Sequence, residues 1–412
     1  MGVVAQTGWS ADSPMSVSTN NRPVLASSIA VCGTGIAGLA CALAFARRGQ
    51  QVALLGPKHQ LEAADPETYH PRVYAISPAS QKFLSSIGVW DMLPASRVTA
   101  IESMEIFGDG DGHLNLTAWQ NAMPELAWIV EANEIERVLT QAVQFAGLQW
   151  VNEKFVAYQP GALTTESGQV IEANLIVAAD GAQSPLRQAA GIAVDIRPYG
   201  VTGLVAHFNC AQPHHGKALQ WFRGDGVLAL LPLPDTRMGH QVSMVWSLEQ
   251  GEANALLALE VTEQSRRLSS MLAQATSGQL GELTQCAPLH GFPLSLNQSQ
   301  MIADRLALVG DAAHRLHPLA GQGLNLGLGD VQSLVEIVAG REPFRQAGDP
   351  MVLRRYRRAR AEPVLAMRLV TDGLHRLFDA QTTPVVWLRN MGMNIVDKLP
   401  LLKRQIIGGA SR

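Results

Sequence analysis

The sequence predicts an α/β fold with a β-rich segment inserted into it and a helical C-terminus. Three observations lead there. A short apolar strand, Ser28 to Cys32, runs into a glycine cluster, a helix-like stretch from Ile36 to Arg48 and a second strand from Gln51 to Leu55, which together make a βαβ opening. From Val201 to Leu248 the pattern shifts to strand-favouring runs, including Gly226 to Pro232 and Gln241 to Trp246, with turn residues between them. From Met351 to Phe378, and again from Val385 to Val396, the spacing of apolar residues is helical.

The 412 residues suffice for two or three domains. Apolar residues make up 47% and charged residues 16%, so a large core is within reach and disordered, collagen-like and coiled-coil readings are excluded. Lys and Arg number 32 against 35 Asp and Glu, a net charge of −3, which leaves no basic excess to hold nucleic acid through its phosphates. Cys32, Cys41, Cys210 and Cys286 are scattered without a CxxC pair, which argues against a disulfide framework or zinc ribbon and for a reducing, cytoplasmic compartment. Met1 to Ser28 lacks a basic start and reads as a short disordered leader, not a secretion signal. The uncharged stretch from Pro23 to Ala46 is long enough to span a bilayer, but a strand, turn and helix explain both its apolarity and its glycines.

Taken in order, Gly49 stands where the first helix would take its C-cap. Ala79 to Ile87 reads as helix, Val98 to Leu116 as strand–turn–strand around Gly108 to Gly112, and Ile135 to Ala146 as an amphipathic helix. Leu175 to Ala179 is a buried strand ending at Asp180-Gly181, and Val261 to Ala273 is a helix. Leu306 to Val309 is another buried strand, followed by a glycine-rich turn and a helix from about Gly323 to Val338. The expected division is a leader over 1–27, a nucleotide-binding domain in three pieces (28–78, 98–195 and 300–340), a substrate domain from 79–97 and 196–299, and a helical region over 341–412.

Three motifs carry the chemistry. Gly33-Thr34-Gly35-Ile36-Ala37-Gly38 is G-x-G-x-x-G between a strand and a helix. There the first glycine permits the tight turn, the second lets backbone approach a pyrophosphate, and the third lets helix pack on strand. The helix start adds free N–H groups and a positive dipole end. The second motif is Ala179-Asp180-Gly181 continuing to Ser184-Pro185-Leu186-Arg187, an Asp-Gly turn opening a helix. The third is Val309-Gly310-Asp311-Ala312-Ala313-His314, continuing through His317-Pro318-Leu319-Ala320-Gly321-Gln322-Gly323-Leu324-Asn325. An acidic residue at a strand end can hold a sugar hydroxyl, and the following glycines expose backbone donors at a helix start.

Together, in this order, the three motifs resemble those of the class A FAD-dependent aromatic monooxygenases, and within them the ubiquinone-biosynthesis hydroxylase family. The likeness extends from Ile29 onward and takes in Arg72-Val73-Tyr74-Ala75-Ile76-Ser77-Pro78-Ala79-Ser80 and Leu228-Ala229-Leu230-Leu231-Pro232-Leu233. Tyr356, Arg358, Asp372, Phe378, Arg389-Asn390, Pro400 and Lys403 also fit. The resemblance implies an FAD-binding Rossmann-like domain of the glutathione-reductase type with an inserted, mainly β substrate domain. It implies that Gly33, Gly35 and Gly38 hold the FAD pyrophosphate. Asp311 would bond the ribityl chain, and Gly321, Gln322, Gly323, Leu324 and Asn325 would present backbone donors to the pyrimidine edge of the flavin. Pro318 would sit beside the reactive carbon, and Arg72 would lie near the flavin and control its position. Asp180 and Arg187 would serve the FAD phosphates and a transient NAD(P)H donor. The chemistry itself belongs to the cofactor, which inserts one atom of dioxygen into a phenolic ring.

Two positions depart from the family pattern. Gly56 ends the second strand where an acidic residue usually binds the adenosine ribose, and Ala132 replaces a polar residue that faces FAD. Weak but real FAD binding is expected, with Glu131, Asn133 or His59 standing in. Other features have plainer readings. Asp311, His314 and His317 suit flavin better than metal, so no metal site is expected. Asp109-Gly110-Asp111-Gly112 fits a hairpin turn, since Gln120 stands where a calcium loop needs Glu. Arg354 to Arg358 reads as a solvated helix face, with contact to anionic lipid or a partner as the alternative. Met367, Leu374, Leu377, Phe378 and Val385 to Leu388 form an apolar set, either ordinary core or a lip for a polyprenyl tail or partner proteins.

The expected function is therefore hydroxylation of a polyprenylated phenol in ubiquinone biosynthesis, with peripheral contact at the inner membrane and biosynthetic-complex proteins as partners. Two alternatives stay open: hydroxylation of a soluble aromatic, and a weakly FAD-binding paralogue acting as a scaffold or lipid-binding subunit.

Overall fold

The computed structural model describes residues 24–59, 65, 67–224, 226–315 and 323–379, together with Asn390, Met393, Asn394, Asp397, Leu399 and Lys403. The expected leader lies outside the described residues up to residue 23. The strand expected from Ser28 begins earlier, at Val24, because Val24 to Ser27 pair with Val170 to Ala173.

Five strands run parallel in one sheet, with Gln149–Val151 outermost beside Val52–Leu55. Val24–Cys32 lies between Val52–Leu55 and Val170–Ala178, and the last of these is flanked in turn by Leu306–Leu308. The register sets Cys32 beside Ala178, and Ala178 beside Leu308. Three strand ends distant in sequence are thereby level, and the loops leaving them share one edge of the sheet, where open parallel sheets bind ligands. Hydrogen bonds close the turns: Ala179 N donates to Cys32 O (2.8 Å) and Val309 N to Ala178 O (3.0 Å). Helices Ile36–Arg47, Ala132–Phe145 and Gly323–Ala339 cover the sheet and bury one continuous core with its strands. From Val24 on, the stretch that runs to Ala46 is thus a strand and a buried helix. No helix of the described residues is long and apolar enough to cross a membrane.

A second sheet has nine strands, among them Val194–Cys210, Gly226–Thr236, Gly239–Glu249 and His290–Ser299. Both faces are covered, which explains the near-continuous apolar run at Leu228 to Leu233. Leu228 and Leu230 pack with Leu256, Leu268 and Leu272 of the helices Gln250–Leu257 and Val261–Thr276. Ala229 and Leu231 face the other way, toward Ile129 and Tyr69. A three-stranded sheet, Val73–Ile76, Ala127–Glu131 and Val98–Ile101, joins the two bodies.

Two expected boundaries are corrected. Residues 79–97 were expected in the substrate domain. Instead helix Pro78–Ser86 and the turn after it send Phe83, Leu84, Ile87, Val89 and Leu93 into the core of the parallel sheet. Residues 98–195 were expected wholly in the nucleotide domain, yet Ser103–Phe107 pairs in parallel with Lys217–Arg223 and carries the hairpin strand His113–Thr117 into the nine-stranded sheet. The governing pairing is with residues more than a hundred positions away, which no local pattern signals. Gly108 to Gly112 does form the hairpin turn, closed by Gly108 N on Gly112 O (2.8 Å). Asn394 and Asp397 accept from the backbone N–H groups of His113 and Asn115, so the C-terminal segment satisfies that edge strand.

Helix Pro350–Asp379 realises the amphipathic C-terminal pattern. Arg354, Arg355, Arg357 and Arg358 are exposed, while Tyr356 is buried and donates to Leu308 O (2.8 Å). Met367 packs near Leu296 and Leu326. The side chains of Leu374, Leu377 and Phe378, and residues 385–388, lie outside the described residues.

Candidate functional site

A cavity of about 380 Å3 opens where the level strand ends meet the nine-stranded sheet. Gly35, Ile36 and Ala37 line it from the first motif, Ala179 and Gly181 from the second, and Gly310 and Asp311 from the third. Opposite stands an apolar wall of Val205, Ala229, Leu231, Val245, Phe292 and Leu294. A second cavity of about 570 Å3 shares Phe292, Leu294, Ser295 and Arg315 with the first. It lies beside a register shift between Pro198 and Thr202, where Val194–Cys210 bulges away from His290–Ser299.

The glycines of the first motif have distinct structural roles. Gly33 has φ +119°, and a β-carbon there would lie 2.2 Å from Ala179 O. A β-carbon on Gly38 would lie 2.0 Å from Gly33 O. Both are demanded by the chain's own packing. At Gly35 nothing lies within 4 Å, so that position is open on the cavity side. Gly35 is also the N-cap of Ile36–Arg47, with no side-chain cap bond and no acid in the first turn. The first helical N–H groups therefore have no intrahelical acceptor and suit an anion. Helix Gly323–Ala339 also begins here, with Gly323, Leu324 and Gly327 in the lining. These features fit a bound dinucleotide.

The third motif rests on a charged support that the sequence analysis missed. Asp330, in the middle of the apolar helix Gly323–Ala339, is fully buried. Its carboxylate accepts from Gly310 N (3.0 Å) and Arg360 Nε (2.7 Å), with His314 Nε2 at 2.7 Å. Burial alone would raise this carboxyl, but His314 and Arg360 outweigh it and hold it below the usual range. His314 is thus engaged inward. An acid set between the apolar residues Leu328, Val331 and Leu334 was the available signal, since a buried charge demands partners.

Arg72 lines the cavity, its guanidinium 5.1 Å from the centre of the Tyr74 ring. The segment leading to it is clamped. His70 N donates to Glu131 Oε1, Arg97 pairs with the other Glu131 oxygen (2.7 Å), and Arg97 also donates to Thr68 O (2.9 Å). His207, buried in the nine-stranded sheet, holds His70 O through Nε2 (3.0 Å). Burial keeps its imidazole below the ordinary 6.5. Glu131 is therefore committed to Arg97 and His70, and does not replace the acid missing at Gly56.

Arg187 requires correction. Its guanidinium is buried, donating to Ala312 O and Ala182 O (both 2.8 Å), so it stitches the second motif to the third, and it is not among the residues that line the cavity. Asp180 accepts from Ser184 Oγ and Leu186 N, opening the short helix Pro185–Ala189. It likewise supports the loop whose Gly181 lines the cavity. Asn325 donates to Ala75 O (2.7 Å) and accepts from Ser77 N (3.0 Å), so its side chain pins the helix start to the Arg72-to-Ser80 stretch. Pro318, Gly321 and Gln322 lie outside the described residues, as does His317. Glu136, Tyr74 and Arg315 line the cavity without having been singled out as site residues.

An anion-ready glycine turn, a second helix start and an apolar far wall around one cleft define a flavoprotein of the monooxygenase class. A family profile described as "FAD binding domain" matches residues 26–370. Ubiquinone hydroxylase UbiL of Rhodospirillum rubrum is 31% identical, over 91% of this chain and 87% of the relative. The 3-demethoxyubiquinol 3-hydroxylase of Escherichia coli (strain K12) is 30% identical, over 92% of this chain and 97% of the relative. The chain belongs to the ubiquinone-biosynthesis hydroxylase family of FAD-dependent monooxygenases. The fold is also that of p-nitrophenol 4-monooxygenase PnpA from Pseudomonas putida DLL-E4, with a TM-score of 0.72 at 17% identity over 94% of this chain and 99% of that one.

Proposed function

We propose that this chain hydroxylates the aromatic ring of a polyprenylated phenol in ubiquinone biosynthesis, using FAD, dioxygen and NAD(P)H. The observation that carries the reading is the single cleft with backbone donors on one side and an apolar wall on the other. The balanced reaction consumes the ring C–H, O2, NAD(P)H and a proton, and yields the ring C–OH, water and NAD(P)+. Bound FAD supplies the oxygen activation.

The chain's own groups do the rest. Backbone N–H groups after Gly35 would hold the pyrophosphate, and Asp311 would accept from a ribityl hydroxyl. The start of Gly323–Ala339 would stabilise negative charge on the flavin's pyrimidine edge. Val205, Leu231, Val245 and Leu294 would exclude water and hold the phenol ring. Arg72, in the lining, would balance the cofactor's negative charge. The second cavity takes the prenyl tail, and exposed Leu365 and Leu369 on helix Pro350–Asp379 make peripheral contact with the inner membrane.

Gly56 and Ala132 favour one rival, a scaffold or lipid-binding subunit that has lost firm FAD binding. Two measurements decide. The purified chain, incubated with FAD and desalted, is expected to keep a flavin spectrum, and a colourless protein overturns enzyme function. Lipids from a strain lacking the chain are expected to accumulate a polyprenylated phenol one hydroxyl short, and an unchanged quinone profile overturns the substrate.

A further inference from the structure

The cavity lining contains two carboxylates, on separate elements: Asp311 in the third motif and Glu136 on the cleft face of helix Ala132–Phe145. Neither has a hydrogen-bond or ion-pair partner among the described residues, although most other carboxylates at this site do, as Glu131, Asp180 and Asp330 show. FAD, extended along such a cleft, carries two hydroxylated segments, the ribityl chain and the adenosine ribose, with the anionic pyrophosphate between them. A carboxylate repels the pyrophosphate and accepts well from sugar hydroxyls. Two unpartnered acids therefore match two polyols.

The position that ends Val52–Leu55 has no room for an acid to bind the adenosine ribose. Gly56 has φ +145°, and a β-carbon there would lie 2.9 Å from Thr34 Cγ2. The space is filled, because Thr34 Oγ1 donates to Pro57 O (2.9 Å) and ties this loop to the glycine turn. Gly56 O accepts from Trp150 Nε1 (3.0 Å), and Lys58 N donates to Asn152 Oδ1 (2.8 Å). Restoring an acid at 56 would collide with that packing. Helix Ala132–Phe145 packs against Ile36–Arg47, whose start is the pyrophosphate site, and Glu136 lies within electrostatic reach of His59, three residues past Gly56. Glu136 is half-buried, and burial raises its carboxyl although Arg72, His59 and His70 pull it back.

We infer that Glu136 is the acceptor for the adenosine ribose hydroxyls of FAD, a binding role transferred from the end of the second strand to a neighbouring helix. The inference rests on the FAD reading above and goes beyond it by assigning a ligand contact that the glycine motifs do not contain.

The test is equilibrium binding of FAD, and of an FAD analogue lacking both adenosine ribose hydroxyls, by flavin fluorescence. The unaltered chain, Glu136→Ala and Glu136→Gln are compared, with circular dichroism confirming that each variant folds. Glu136→Ala should bind FAD about ten- to a hundred-fold more weakly. Glu136→Gln, which keeps an acceptor oxygen without the charge, should fall between. The unaltered chain should favour FAD over the analogue by a similar factor, and Glu136→Ala should no longer distinguish them. If Glu136→Ala still distinguishes the two ligands as the unaltered chain does, the assignment is overturned while the FAD reading stands. If the unaltered chain binds neither ligand, both fall together.

Discussion

At Gly33 the chain turns because a side chain is missing, whereas at Gly310, also a glycine with positive φ (+59°), charged side chains beneath the turn hold it as well. The first turn closes by direct backbone contact: Gly33 lies against Ala179 O, and Gly38 against Gly33 O. The second hangs from a buried carboxylate, with Gly310 N on Asp330, which Arg360 and His314 hold in turn. Both present main chain to the same cavity. The contrast teaches that a cofactor cradle can be shaped either by steric exclusion, which is cheap and local, or by a paired charge, which needs partners from three segments.

The largest expected effect tests the steric turn. Gly33→Ala must relieve both an unfavourable φ and a backbone collision, and is expected to cost about 4 kcal/mol or more in urea unfolding. Gly35→Ala, at an open position, should fold within about 1 kcal/mol of the unaltered chain. It should nevertheless bind FAD at least about ten-fold more weakly in titration. Equal losses of stability in the two variants would abolish the distinction between a packing glycine and a cofactor glycine.

The charged turn comes next. Asp330→Ala strands Arg360 and the Gly310 N–H group, for about 3–5 kcal/mol of stability by chemical denaturation. The ion pair also has a pH signature: Asp330 is held below its ordinary 3.8, so its contribution is whole above that value and is lost as the pH falls further. An Asp330→Ala variant within 1 kcal/mol of the unaltered chain would mean the turn is shaped sterically after all.

The smallest effect concerns the clamp on Arg72. His207 is held below 6.5, so between 6.5 and its folded value the unfolded chain binds more protons. Stability should therefore fall as the pH drops from about 6.5, by at most about 1.4 kcal/mol per pH unit from this group. His207→Gln should flatten that slope in thermal melts taken between pH 7 and 5, and an unchanged slope would assign it elsewhere.

Much of the cradle was legible because it obeys short-range rules. Gly33, Gly35 and Gly38 sit at spacings that a strand–turn–helix imposes, and the buried strands before Asp180 and Asp311 announce themselves by apolarity. Arg187 was legible as a site residue but not in its role, because whether a guanidinium faces a ligand or a pair of carbonyls depends on where Ala312 lies. Ser103–Phe107 was a visible strand, yet its partner, Lys217–Arg223, was not visible. Glu136 looked like any helix-surface acid until the opposing sheet turned its face into a cleft wall.

From its own order of residues this chain determined the turns, the helix starts and the family, since φ preferences and steric exclusion act within a few bonds. Tertiary structure alone decided which charges are buried in pairs and which stay free to meet a ligand. Desolvation and pairing depend on neighbours that the backbone brings together from far along the chain.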